Sequence, residues 1–130
     1  MAPASIRLAG ELADGWLPLL VLYSRIAEGA REIQAGASRG GRADRLPVVC
    51  PYIPTVISEN LAEAREGAAW FVAFYLTTMG PLYQRALRRQ GFEAEVQAIH
   101  DANPTRDTAV VPSSTENLLE QLTIFGTPAE

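Results

Sequence analysis

The sequence predicts an α/β fold, with parallel strands jacketed by helices. Two observations carry that expectation. Residues 16–22, WLPLLVL, form an almost unbroken apolar run, the pattern of a strand covered on both faces. Helical periodicity flanks this run, and the scheme of helix, strand and long helical excursion recurs along the chain, as in a sheet built from alternating units.

Composition narrows the class. The chain has 130 residues, 48% apolar and 20% charged, enough for one domain with a real core. A net charge of -4 argues against a broad nucleic-acid footprint. No apolar run approaches the roughly 20 residues of a membrane span. The opening MAPASIRLAG lacks the basic and apolar regions of a signal peptide. A single cysteine, Cys50, excludes an internal disulfide and fits a reducing cytoplasm.

Pro3 suits the first turn of a helix, since its missing N–H is harmless there. Ile6, Leu8, Ala9, Leu12 and Ala13 supply the apolar stripe, and Asp14-Gly15 is expected to end it through a left-handed glycine. The strand 16–22 follows. Ser24 is placed to cap the next helix, whose apolar face is Ile26, Ala30, Ile33 and Ala37. Arg39, Arg42 and Arg45 then crowd a glycine-rich loop, which reads either as an anion grip or as a solvated connection, the plainer of the two.

Residues 46–57, LPVVCPYIPTVI, form the second strand. Pro47, Pro51 and Pro54 each remove a ladder donor, so an interruption or bulge near Pro51 is expected. Cys50 reads as a small core residue. Ser58 opens a helix to Met79, with Leu61, Ala64, Ala68, Phe71, Val72, Tyr75 and Leu76 on its apolar face. Trp70 and Phe74 widen that face. Such an aromatic stripe is core or subunit packing before it is a cofactor box.

Gly80-Pro81 breaks the helix. A basic helix with Arg85, Arg88 and Arg89 runs to Gly91, and a short amphipathic one covers 92–100. His100 is the sole histidine, so no metal site is expected. Asn103-Pro104 marks a turn. Ser113 to Glu116 matches a capping box before a helix carrying Leu118, Leu119 and Leu122. Thr127 and Pro128 look like the cap and first turn of one more helix.

No GxGxxG, Walker loop, HExxH, GxSxG or CxxC is present. Glu11 and Asp14 lie one helical turn apart, but a helix exit accounts for both. From the motifs alone, the chain is an α/β domain of open chemistry.

Four stretches nevertheless resemble the luciferase-like monooxygenases, flavin- or deazaflavin-dependent oxidoreductases built on a (β/α)8 barrel. LAGELADGWLPLLV (8–21) is similar to that family's AGEIADGW passage from helix to strand. RLPVVCPYIPTVISENLAEAREGAAWFVAFYLTTMG (45–80) resembles its strand and long helix, and YQRALRRQGFEAEV (83–96) the helical insertion after it. VVPSSTENLLEQLTIFGTPAE (110–130) is similar to its VPDELVDELTIFGTPEE segment. The four occur in family order, closest in character to the deazaflavin-dependent type.

The resemblance implies a partial (β/α)8 TIM barrel, helix-rich, with parallel strands near 16–22 and 46–57. It implies that residues 1–130 are the C-terminal part of one barrel domain, incomplete at both ends, since a full barrel needs about 250 residues. It implies FMN or a deazaflavin coenzyme, a small organic substrate, and hydride transfer or monooxygenation. Alone, this chain is expected not to catalyse. In such barrels ligands sit at the carboxyl ends of strands. The positions implied for the cofactor are therefore Leu22 and Tyr23 after the first strand, with Pro3, Ala4 and Ser5 at a helix start suited to its phosphate. Only Pro3 matches the family's Gly-Pro turn there. No catalytic residue carries over, and Gly15 and Trp16 are read as structural. The alternative is a non-catalytic interaction module that self-associates or pairs with the rest of a barrel, since an open half-barrel exposes sheet edges and an apolar inner face, with the aromatic helix Ser58–Met79 as the natural interface.

Overall fold

Proline at position 3 opens the first helix, α1 (Pro3–Leu12), in the computed structural model, which describes residues 2–105 and 108–129. The chain forms two compact units, residues 1–52 and 53–130.

In the first unit, α1 ends at Leu12 with Ala13 extended. Gly15 has no positive φ and lies in the strand β1 (Gly15–Trp16), so the expected left-handed exit does not form. Arg42 does the terminating instead. Its Nη1 donates to Ala13 O at 2.8 Å and Glu11 O at 3.4 Å, satisfying carbonyls that a helix end leaves open. A 3-10 turn, Tyr23–Arg25, leads into α2 (Ile26–Arg39). Ser24 lies within that turn and Arg25 takes the N-cap position, so Ser24 is not the cap.

β1 pairs in parallel with β2 (Val48–Val49), in the register Gly15↔Val48 and Trp16↔Val49. The N–H groups of Val48, Cys50 and Tyr52 donate to Asp14 O, Trp16 O and Pro18 O at 3.0, 2.9 and 2.9 Å. A last bridge joins Leu19 to Tyr52. The two apolar runs are thus parallel neighbours, as expected, but their regular strands are far shorter than 16–22 and 46–57. Pairing survives Pro47 and Pro51 because neither occupies a donating position, which Val48, Cys50 and Tyr52 hold.

The burial pattern departs from expectation. Trp16, Pro18 and Leu20 point inward, and Trp16 packs with Ile6 and Ile33. Leu17 and Val48 are 66% and 67% exposed, so within this unit the strand is covered on one face only. Cys50 is exposed rather than a core residue, because it shares the outward phase of Val48 and Tyr52.

In the second unit, β3 (Thr55–Ile57) pairs in parallel with β4 (Ile124–Gly126). β4 was hidden in the sequence between a helix and a glycine. The expected helix start at Thr127 and Pro128 is a turn over its described residues, while Glu130 lies outside them. Asn60 caps α3 (Leu61–Thr77) by accepting from Ala62 N at 3.0 Å. Ser58 stands outside that helix, its Oγ accepting from Asn60 N at 3.1 Å and donating to Glu63 at 3.0 Å. α3 buries a small-residue face of Ala64, Ala68, Ala69, Val72, Ala73 and Leu76, whereas Trp70 is 54% exposed. Phe71, Phe74 and Tyr75 are only half-buried, so the aromatic stripe flanks that face rather than forming it.

α4 (Pro81–Arg88), α5 (Glu93–Ala102) and α6 (Glu116–Leu122) complete this unit. Gly80 and Gly91 adopt φ of 86° and 97° at the links, a region that L side chains enter only at a cost. Leu87, Val96, Ile99, Leu118, Leu119 and Leu122 form the buried core. The capping box before α6 is not made. Arg65 takes Glu116 instead, its Nε at 2.9 Å from both carboxylate oxygens, and its Nη2 also reaches Val111 O at 3.2 Å. The hydrogen bond to Glu116 is the main cause holding the Arg65 guanidinium above its ordinary pKa.

Asn103 is buried and fully used. Its Nδ2 donates to Ile99 O at 2.6 Å and Val110 O at 2.8 Å, and its Oδ1 accepts from Val110 N at 2.8 Å. One amide therefore ties the end of α5 to the segment before α6. Asn103→Ala is expected to cost about 2 kcal/mol, because the buried carbonyl of Ile99 loses a partner that water cannot replace. Urea unfolding followed by far-ultraviolet circular dichroism checks this value.

Among the described residues, no helix is long and apolar enough to cross a membrane. No group of His, Cys, Asp and Glu among them could hold a metal ion.

Candidate functional site

The parallel ladder of the first unit runs out at the Leu19–Tyr52 bridge, and the backbone turns sharply there. Leu20 has φ of 52° while 5% exposed. A leucine in the left-handed region costs about 1–2 kcal/mol, and strain of this kind gathers at ligand sites. The turn delivers Leu22, which is buried, and Tyr23, which opens the 3-10 turn. Leu22 O accepts from Arg25 N at 2.9 Å, so the segment is fixed from below by the start of α2.

The Tyr23 hydroxyl is buried with no hydrogen-bond partner among the described residues. Burial pushes the phenol above its ordinary pKa of 10.0. The sign of the pH effect follows. A proton held more tightly by the folded state gives stability that is complete below the unfolded-state value and lost as pH rises through the folded one. Stability should therefore fall above about pH 10 more steeply in the parent than in Tyr23→Phe. Urea unfolding at pH 8 and at pH 11 compares the two.

Pro3, Ala4 and Ser5 occupy the exposed first turn of α1. The Ser5 and Ile6 N–H groups both return to Ala2 O, at 3.0 and 3.3 Å, and Pro3 has no N–H to give. Of the first-turn donors, the Ala4 N–H is left without an acceptor among the described residues. The short link of Ala13 and Asp14 joins the end of α1 to the start of β1, against which α1 packs. That connection directs the amino end of α1 toward the carboxyl side of the strands. No hydrogen bond among the described residues joins Pro3, Ala4 or Ser5 to Leu22 or Tyr23, so the five positions stand as two groups.

The arginines of the glycine-rich loop find acidic partners within the chain. Arg39 pairs with Glu11, Arg42 with Asp14 at 2.8 Å, and Arg45 reaches Asp14 at 3.5 Å. Both carboxylates of the AGELADGW passage thus serve the helix exit. A hollow of about 320 Å³ in the second unit lies along α3. Glu66, Trp70, Phe74 and Val110 line it, and the Trp70 and Phe74 rings stack at 5.3 Å. It contains none of the five expected positions. The left-handed Leu20 is the feature that the sequence could not reveal, because leucine carries no sign of such a backbone.

Comparison with known proteins supplies the family that motifs lack. The sequence model of the luciferase-like monooxygenases matches residues 1–130. The coenzyme F420-dependent tetrahydromethanopterin reductase from Methanopyrus kandleri is similar in structure, with 25% identity and a TM-score of 0.67. The likeness covers 98% of this chain and 37% of the reductase, so this chain spans little more than a third of that enzyme's length. No curated protein matches the sequence. The helix-rich architecture and its short parallel strands agree with a match over every residue of the chain, which belongs to the luciferase-like monooxygenase family.

Proposed function

We propose that this chain is part of a (β/α)8 barrel oxidoreductase that uses FMN or a deazaflavin coenzyme on a small organic substrate. The observation that carries the reading is the parallel β1–β2 ladder, which ends in the strained turn at Leu20, three residues before Tyr23, whose hydroxyl has no partner among the described residues. Barrel enzymes bind ligands at that end of their strands. A buried donor without a protein partner fits a cofactor rich in acceptor oxygens. The flavin or deazaflavin would supply the hydride or oxygen chemistry, and the protein supplies binding and orientation. Leu22 and Tyr23 would lie against the ring end of the cofactor, and the first turn at Pro3, Ala4 and Ser5 would face its phosphate.

The outward strand face fits the same reading. α1 and α2 belong to the side that buries Trp16, so a closed barrel would turn Leu17, Val48 and Tyr52 toward its interior. The same apolar face supports a second reading, a non-catalytic module that pairs with another copy or with further barrel strands. Titration of the chain with FMN and with coenzyme F420 separates the two. The oxidoreductase reading expects one cofactor to raise the unfolding free energy by about 2.7 kcal/mol at one hundred times its Kd. A stable oligomer by light scattering, with no shift by either cofactor, would establish the module instead.

A further inference from the structure

We propose that the Tyr23 hydroxyl donates a hydrogen bond to an acceptor oxygen of the bound cofactor, presented by the left-handed turn at Leu20. The proposal rests on the oxidoreductase reading and assigns a role within that site. Two independent costs meet within four residues. A buried leucine adopts φ of 52°, and a buried hydroxyl goes without a partner among the described residues. Leaving such a hydroxyl unpaired costs about 1–3 kcal/mol, so folding alone gives no reason to keep it. Phenylalanine would fill the same space without that cost.

The backbone that carries the ring is hydrogen-bonded on both sides. Tyr23 O accepts from Ile26 N, and Leu22 O accepts from Arg25 N at 2.9 Å, which fixes the chain at the head of α2. The side chain that projects from it is an O–H donor on a preorganised support, the form that a ligand-reading group takes. A phenol is protonated in the physiological range at its ordinary pKa of 10.0, and burial raises it further, so the group is held as a donor.

The chemistry it recognises is an acceptor oxygen, which FMN and coenzyme F420 offer on both the pyrimidine ring and the phosphate. Riboflavin carries the flavin ring without the phosphate. The test compares wild type with Tyr23→Phe by fluorescence titration with FMN, riboflavin and coenzyme F420, alongside urea unfolding of each protein without ligand. The expected result is a tyrosine-to-phenylalanine variant as stable as the parent or more so, with its best cofactor bound about tenfold more weakly. Equal weakening for FMN and riboflavin supports the ring as the acceptor, and weakening for FMN alone supports the phosphate. Unchanged affinity in a folded variant overturns the role of Tyr23 while leaving the oxidoreductase reading intact. A marked loss of stability overturns it too, by showing that the hydroxyl has a structural partner. Failure of the wild type to bind any of the three overturns both.

Discussion

Gly36→Ala is expected to unfold the first unit, and Gly10→Ala to do the same. α1 and α2 meet backbone to backbone. A Cβ on Gly36 would fall on Arg7 O, with Arg7 C at 2.7 Å and Arg7 Cα at 2.9 Å. A Cβ on Gly10 would fall on Ile33 O, with Ala37 N at 2.9 Å and Gly36 Cα at 3.0 Å. None of these atoms is the end of a flexible side chain, so relief requires the helices to separate. In an open helix the change from glycine to alanine would stabilise by about 1 kcal/mol, because alanine has the better propensity. Here overpacking reverses the sign, with a cost at or above the usual range of about 1–3 kcal/mol. The ion pairs that flank the crossing, Arg7–Glu32 and Arg39–Glu11, have half-exposed or exposed arginines, and pairs screened in this way contribute too little to compensate. Gly15→Ala is the control, since its Cβ would meet only Val48 O at 3.5 Å, an ordinary contact. Trp16 fluorescence in a Trp70→Phe background follows the first unit. A Gly36→Ala protein as stable as its parent would show that the two helices do not touch.

That contact explains part of what was legible in the sequence. The AGELADGW passage was recognisable because several constraints meet in it. Gly10 admits α2, Glu11 and Asp14 hold arginines beyond the helix, and Trp16 fills the core. Helices with strong periodicity were predicted to within a few residues, because apolar spacing reports directly on a buried face. Strand length was not legible. An apolar run such as WLPLLVL says what is buried, not where a ladder stops, and the ladder stops where Leu20 changes hand. β4 escaped because three residues after α6 carry no periodicity of their own. The capping box before α6 failed for a different reason. Glu116 had a better partner in Arg65, distant in sequence, and a local rule cannot see that competitor. Of the candidate site, position along the strands was readable. The partnerless hydroxyl of Tyr23 was not, since whether a tyrosine finds a partner is decided by tertiary packing.

Trp16→Ala is expected to cost about 3–5 kcal/mol, the range for deleting a large buried ring, while Trp16→Phe should cost much less. Trp16 is 6% exposed and packs with Ile6 and Ile33. Its Nε1 is buried without a partner among the described residues, so replacing the indole by a phenyl ring forfeits volume but no hydrogen bond. Gly29 is the reciprocal half of this contact. A Cβ there would fall on the Trp16 ring at Cη2, with Cζ3 at 2.6 Å. Gly29→Ala should therefore destabilise the parent but be tolerated, or favourable by about 1 kcal/mol through helix propensity, once residue 16 is phenylalanine. The double-mutant cycle isolates the contact, with a coupling of about 1–3 kcal/mol expected for residues that touch. Urea unfolding read by circular dichroism gives all four corners. The same variants separate structure from ligand binding. If Trp16→Phe folds and retains the affinity of its parent for FMN or coenzyme F420, the tryptophan serves the core alone. A folded Trp16→Phe protein with weakened cofactor binding would move the ligand site toward the opposite end of β1.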